Sequence, residues 1–206
     1  MRGDANDIIG GKNGTVSGAT LTTDRFGNSN GAYVFTTAGL TYITLPSWAR
    51  TNWNFTFSAW IKPSTLTPTN ADANIFFDWT AANRNFLFQQ YYSELRFYNW
   101  IWSTSQDAIV SGWALTTNFQ HVCCVRSWTT HSIYLNWVSV ASSVQTYSWG
   151  SSGSNALQIG IASTPLTWYG FGWTIDSPEI YSRALSATEV KALYDLSSRE
   201  KLLPFS

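Results

Sequence analysis

The stretch 94-ELRFYNWIW-102 carries the strictest alternation in the chain. Successive side chains of an extended strand point to opposite faces of a sheet. Leu95, Phe97, Asn99 and Ile101 therefore share one face, and Arg96, Tyr98, Trp100 and Trp102 share the other. The first set can supply core. The second presents one cation and three amphipathic rings where a solvated strand ordinarily shows Ser, Thr or Lys, so it is the leading candidate for a binding platform. Two other readings stay open at this point: the faces are reversed in a two-sheet fold, or the rings cover the sheet beneath a loop.

Outward from this strand the same texture repeats. Short runs rich in Val, Ile, Phe, Tyr, Trp and Thr are separated by turn residues every ten or so positions, the rhythm of a β-sandwich. Strands are expected at 32–35, 42–45, 55–62, 74–79, 85–91, 94–102, 121–126, 132–136, 138–142, 156–161 and 171–181, with no Pro/Gly-rich linker between them. One helix is expected near the end. Ser186 and Glu189 form a capping box, in which each side chain can satisfy the other's backbone N–H, and Val190, Leu193 and Leu196 follow at helical spacing. The domain is expected to span 1–198, with 199–206, which includes Pro204, as a C-terminal tail.

With 206 residues the chain can bury a full core without disulfides or metals. Lys plus Arg and Asp plus Glu both total 12, and no basic run occurs, so nucleic acid is not an expected partner. No apolar stretch approaches the length of a membrane span, so no membrane insertion is expected. Charged residues make up only 12 % of the chain while aromatics reach 17 %. Part of that excess is the ordinary taste of strands for rings. The remainder exceeds what one core is expected to hide, and an exposed indole needs a ligand, a partner pocket or an assembly to stack against. Adjacent Cys123 and Cys124 fit two strand residues facing opposite ways, a geometry in which a mutual disulfide would be strained. The low-charge surface points to an extracellular, virion or cell-surface setting, although no charged and then apolar leader follows Met1, so a leader was removed or export takes another route.

Three blocks in order resemble one family. They are GDANDIIGGKNGTVSGATLTTDRFGNSNGAYVF (3–35), FTFSAWIKPSTL (55–66, with Trp60) and IDSPEIYSRALSATEVKALYDLSS (175–198). The chain is similar to concanavalin A-like lectin/glucanase domains, in particular the laminin-G-like (LamG/pentraxin-type) group. The resemblance implies an all-β, two-sheet antiparallel jelly roll with one short C-terminal helix. It does not imply one function, because this fold carries lectins, adhesion domains, virion proteins and glycoside hydrolases.

Retaining hydrolysis needs two carboxylates about 5–5.5 Å apart on one face, and no Glu-x-Asp-x-x-Glu arrangement exists here. Asp176 and Glu179, with Pro178 between them, are ill-spaced for that role, so no enzyme activity is expected. The acidic residues that relatives carry near 35–43 are missing, which leaves Asp7 and Asp176 as the ligand positions for a structural Ca2+; the competing reading of Asp7 is an Asx turn. His121 is read as structural. Where relatives have Gly in the hairpin of IYLNWVSVASS, this chain has Trp137, which strains a two-residue turn unless the turn type changes. With Trp128, Trp149, Trp168 and Trp173, it suggests loops that contact sugars or neighbouring subunits.

Two functions follow from these residues. One is a non-catalytic module for carbohydrate binding and adhesion, with Arg96, Tyr98, Trp100 and Trp102 stacking on a glycan and Gln89 and Tyr91 extending the site. The other is a structural protein, a virion decoration or extracellular array subunit, in which the Trp-rich surface makes homo-oligomer or other cell-surface or virion protein contacts.

Overall fold

A computed structural model describes residues 4–36, 41–46, 54–66, 72–79, 84–101, 104–110, 112, 115–144, 157–160 and 172–199, and at 72–73, 77–79, 84–86, 98–101 and 104–110 it describes the backbone alone. Within these, the strands are β1 (Thr15–Ser17), β2 (Thr20–Thr22), β3 (Ala32–Val34), β4 (Tyr42–Thr44), β5 (Phe55–Pro63), β6 (Asp72–Trp79) and β7 (Arg84–Tyr91). They continue with β8 (Glu94–Ile101), β9 (Thr104–Val110), β10 (Gln120–Ser127), β11 (Thr130–Leu135), β12 (Val138–Val144), β13 (Leu157–Ile159) and β14 (Trp173–Tyr181), and helix α1 (Ala187–Ser197) closes the fold. All eleven expected strands form. Three further strands, β1, β2 and β9, are not among those expected: the first two are three residues long, and β9 reads TSQDAIV, without alternation.

Two seven-stranded sheets result, with strand orders β1-β4-β13-β6-β7-β8-β9 and β12-β11-β10-β5-β14-β3-β2. Neighbouring strands run antiparallel, as a two-sheet jelly roll requires. The core lies between the sheets. Phe55, Phe57, Ala59 and Ile61 of β5 point into it, meeting Phe76, Phe88, Leu95 and Phe97 from the other sheet. Phe57 and Phe76 stand 5.1 Å apart between ring centroids, and Phe97 meets Phe55 and Phe88 edge-on at 6.1 and 6.4 Å. Leu95 and Phe97 are thus inward, which resolves the open question of the faces of β8 in favour of the first reading.

The second sheet is covered on both sides, which a simple in/out alternation does not anticipate. Thr56, Ser58 and Trp60, the alternate residues of β5, are also buried, under α1 and the segment leading to it. Cys124 joins the main core while Cys123 lies on the outer face with Val125, Tyr134, Leu185 and Val190, so the two thiols do face opposite ways and both are free. The capping box forms as expected: the Glu189 N–H donates to Ser186 Oγ at 3.3 Å, and the Ser186 N–H donates to Glu189 Oε2 at 2.8 Å. Leu196, expected to pack, is exposed. The docking face of α1 is instead Val190, Leu193, Tyr194 and Ser197, an i, i+3, i+4, i+7 stripe from which Leu196 is rotated away.

Several polar groups under α1 find partners. Trp60 Nε1 donates to Ser197 Oγ at 3.0 Å, its ring stacks on Tyr194 at 5.5 Å, and Thr56 Oγ1 donates to the Arg183 carbonyl while accepting the Leu185 N–H. Arg25 ties the layers together. Its Nη1 pairs with the buried carboxylate of Asp176, its Nε and Nη2 donate to the Ser197 carbonyl at the end of α1, and its plane lies 4.4 Å from Phe26 and 4.9 Å from Trp60.

Two histidines are buried neutral. His121 shares a 2.8 Å hydrogen bond with Ser58, and burial, reinforced by the Arg25 charge, holds its pKa down at about 4. His131 sits in the core 4.8 Å from the Phe97 ring, where burial and then the Arg126 charge hold it at about 3. Both folded values lie below the ordinary 6.5, so the stability they contribute is complete above that pH and is lost as pH falls from 6.5 towards 4. Denaturation curves across that window should show stability falling by about 1.4 kcal/mol per pH unit for each histidine. The variants His121→Gln and His131→Gln should each remove about half of the slope.

Candidate functional site

On the first sheet, the face turned away from the core carries a polar ladder. Register places Asn74 of β6 opposite Gln89 of β7 and Gln89 opposite Arg96 of β8. One step along, Tyr91 stands opposite Glu94. The intervening pairs, Gln90 with Leu95 and Phe88 with Phe97, point inward. The ladder is therefore a consequence of the strand period: where β8 gives Leu and Phe to the core, it must turn Glu94 and Arg96 outward.

The geometry centres on Arg96. Its Cζ lies 3.3 Å from the Tyr91 ring centroid, so the guanidinium stacks on the phenol, and Nη2 donates to Glu94 Oε2 at 3.4 Å. The side chain keeps 27 % of its surface exposed, yet Nε is buried without a hydrogen-bond partner. Asn74 is only 1 % exposed, and its Oδ1 also has no partner. A buried donor and a buried acceptor left open on one face are unusual, because each costs about 1–3 kcal/mol relative to a satisfied group. Tyr92, exposed and in the left-handed region at φ 54°, forms the tip of the β7–β8 hairpin and packs edge-on against Tyr91 at 4.7 Å. Gln90 Nε2 fixes that tip from inside by donating to the Tyr92 carbonyl. The arrangement has a buried floor, Asn74 and Gln89, and a half-buried rim, Tyr91, Glu94 and Arg96, with Tyr92 exposed at its end. It can stack on an apolar ring face, and it can both donate and accept hydrogen bonds.

The expected residues fare unevenly. Arg96 and Tyr91 come together as the alternation implies. Gln89, expected at the surface, is buried in the floor because Asn74 and Arg96 flank it on both neighbouring strands. The side chains of Tyr98 and Trp100 lie outside the described residues, as do Trp102, Trp149 and Trp168 entirely; the backbones of Tyr98 and Trp100 pair with those of Leu87 and Arg84. Asn74, Tyr92 and Glu94 were missed. Glu94 and Tyr92 were legible as direct neighbours of the β8 alternation, whereas Asn74 required the register of β6.

The loop tryptophans divide. Trp173, expected in a loop contact, is corrected: it is 2 % exposed in β14, paired with Pro63 of β5, and part of the main core. Trp137 keeps the two-residue turn, with Asn136 at φ 47° and Trp137 itself at φ 66°. The expected strain is accepted because the ring packs 4.5 Å from Tyr194, with Lys191 Nζ 5.7 Å from its centroid, so most of it rests on α1. Trp128 is 67 % exposed at φ 54°, its N–H donating to Asn54 Oδ1 at 2.7 Å and its carbonyl accepting from Arg126 Nε at 3.0 Å. Those bonds use only backbone atoms of Trp128. In Trp128→Gly the relief of left-handed strain, about 1 kcal/mol, offsets loss of the covered part of the ring. Thermal melts should therefore place its stability within about 0.5 kcal/mol of the parent, and a larger loss would mean that the indole packs structurally.

The expected calcium ligands are otherwise engaged. Asp7 Oδ1 accepts the N–H groups of Ile9 and Gly10 and Oδ2 that of Lys12, an Asx-type loop in which the Gly10 bond, then those of Ile9 and Lys12, hold the carboxyl below its ordinary range. The Asp176 carboxylate carries Arg25 and accepts from Ser177 Oγ at 2.8 Å. Among the described residues, no three His, Cys, Asp or Glu side chains group in a way that could hold an ion. Asp176 and Glu179 are set apart by a register shift with Ser177 at φ 48°, and Glu179 pairs with the Tyr181 hydroxyl.

The fold is a two-sheet jelly-roll sandwich, one sheet of which carries these aromatic and polar residues on its outward face. A family model, the concanavalin A-like lectin/glucanases superfamily, matches residues 37–191, and the chain belongs to that superfamily. No curated protein matches. Among solved structures, the binding domain of Paraclostridial Mosquitocidal Protein 1 superposes with a TM-score of 0.74 at 14 % identity, covering 98 % of this chain and 52 % of that one. Domain 4 of an extracellular GH43 arabinanase from Geobacillus stearothermophilus, in complex with arabinotriose, gives 0.70 at 18 % identity and 93 % of both chains. The binding domain of Botulinum Neurotoxin DC in complex with SialylT gives 0.69 at 11 % identity, covering 91 % of this chain and 48 % of that one. The chain thus spans about half the length of the two toxin chains. At these identities the likeness is one of fold.

Proposed function

We propose that the chain is a non-catalytic, extracellular carbohydrate-binding module whose site is the outward face of β6–β8, centred on Arg96 and Tyr91. The observation that carries this reading is the pairing of stacked rings at the rim with an open donor, Arg96 Nε, and an open acceptor, Asn74 Oδ1, on one face. A sugar offers what those groups lack: C–H faces for the rings, and hydroxyls that accept from one partner and donate to the other. Tyr98, Trp100 and Trp102 follow Arg96 at alternate positions and extend the platform in this proposal. The solved complexes of structural neighbours with arabinotriose and with SialylT support a glycan as the ligand.

The test is a glycan array probed with the whole chain beside an Arg96→Met variant, which keeps the length of the side chain and removes its donors. The expected outcome is retention on a defined set of glycans by the parent and loss by the variant at unchanged melting temperature. Retention that survives Arg96→Met places the site elsewhere.

A second reading has its own observation. Exposed Trp128 and Val144 lie at the same end of the β10–β11–β12 edge, since Ser127 pairs with Thr130 and Thr130 with Val144. In this reading that patch takes a protein partner or a second copy in an assembly. Light scattering across a concentration series, with Trp128→Ser as control, distinguishes it: concentration-dependent association that the variant abolishes supports assembly.

A further inference from the structure

Resting on the carbohydrate reading above, we infer that the Arg96 site takes a neutral saccharide carrying hydroxyl or acetamido groups and rejects glycans that present a carboxylate. Each of the two unpartnered groups makes its own demand. Arg96 Nε is a donor and requires an acceptor; Asn74 Oδ1 is an acceptor and requires a donor. The two lie too far apart for one group of a ligand to reach both, so two separate groups meet them, and an ionised carboxylate, which only accepts, is unsuited to the Asn74 end. A hydroxyl serves at either end, and so does an acetamido group through its N–H or C=O.

Charge points the same way. An isolated arginine at the mouth of a site favours an anion, but this guanidinium already has Glu94 Oε2 at 3.4 Å, and its cationic face lies against the Tyr91 ring. Glu94 is itself largely covered, so its charge is poorly screened from anything that reaches Arg96. The Arg–Glu pair is close to neutral as a unit, and an incoming carboxylate meets Glu94 as a like charge.

Spacing sets the size of the ligand. Asn74 and Arg96 lie two strands apart, about 10 Å from backbone to backbone at the usual strand separation. One sugar ring contacting both groups, or two adjacent rings of an oligosaccharide, fits that span, and the Tyr91 and Tyr92 rings at the hairpin end supply the stacking surface. Discrimination then rests on Glu94, whose like charge meets a carboxylate at Arg96 and is indifferent to a hydroxyl there.

The experiment uses matched probes: lactose against 3′-sialyllactose, and arabinotriose against trigalacturonate, on an array and then by calorimetry with the whole chain. The expected result is binding of at least one neutral member at an affinity about tenfold or more above that of its carboxylated counterpart. Glu94→Gln should narrow that ratio several-fold, and Asn74→Leu should weaken binding of the neutral probe. Equal or tighter binding of the carboxylated probe, lost in Arg96→Met, overturns this inference and leaves the carbohydrate reading standing. Absence of binding to every glycan of the array overturns both. Because Glu94 lies at the rim, its variant is expected to fold, and an unchanged melting temperature makes the ratio readable.

Discussion

Replacing Asp176 with alanine is expected to lower the stability of the chain by about 3–5 kcal/mol, because it strands a buried guanidinium. The Arg25–Asp176 pair is among the best shielded ion pairs described, with side-chain exposures of 10 % and 2 %. Asp176 also accepts the backbone N–H of Arg25 and the hydroxyl of Ser177, so one truncation empties several bonds at once. The consequence reaches α1. Arg25 donates twice to the Ser197 carbonyl, at 3.0 and 2.6 Å, where a cation also complements the C-terminal end of the helix dipole. Urea denaturation should show the loss as a lower midpoint, and tryptophan fluorescence should report Trp60 losing its Tyr194 stacking. A change below about 1 kcal/mol would mean that Arg25 finds other partners and that the ion pair does not anchor the helix.

Phe97→Ala should cost about 3–5 kcal/mol as well, by a different route. Phe97 is fully buried and touches aromatic rings on three strands: Phe55 on β5, Phe88 on β7 and His131 on β11. Removing it opens a cavity between the two sheets that these rigid rings cannot close. Its neighbour Arg96, one residue away and facing outward, should be nearly silent for stability. That contrast between adjacent positions is a direct consequence of the two-residue period of β8, and chemical denaturation of the two variants side by side reads it.

Much of this was legible in the residues themselves. The alternation from Leu95 to Phe97 named the core face, the Ser186–Glu189 box named the start of α1, and adjacent Cys123 and Cys124 read as two strand residues facing opposite ways, as they do. Pattern fails where pairing across the chain decides. Trp173 reads as one more loop indole until its pairing with Pro63 brings it into the core, and Asp176 reads as a ligand until Arg25, 151 positions away in sequence, reaches its carboxylate. Leu196 has an apolar side chain at an apparently helical spacing, yet the face that docks is set by Trp60 and Trp137 gripping Tyr194. Asn74 carries no signal of its own. It joins the site only because the register of β6, β7 and β8 places it two strands from Arg96.

The most direct measurement is calorimetric titration of an array-selected glycan into the parent chain, Arg96→Met and Trp128→Ser, with melting temperatures recorded in parallel. Saturable binding that disappears in Arg96→Met, persists in Trp128→Ser and leaves both melting temperatures in place is the predicted result. Full binding in Arg96→Met with loss in Trp128→Ser would contradict the assignment of recognition to the outward face of β6–β8 and move it to the β10–β11 turn.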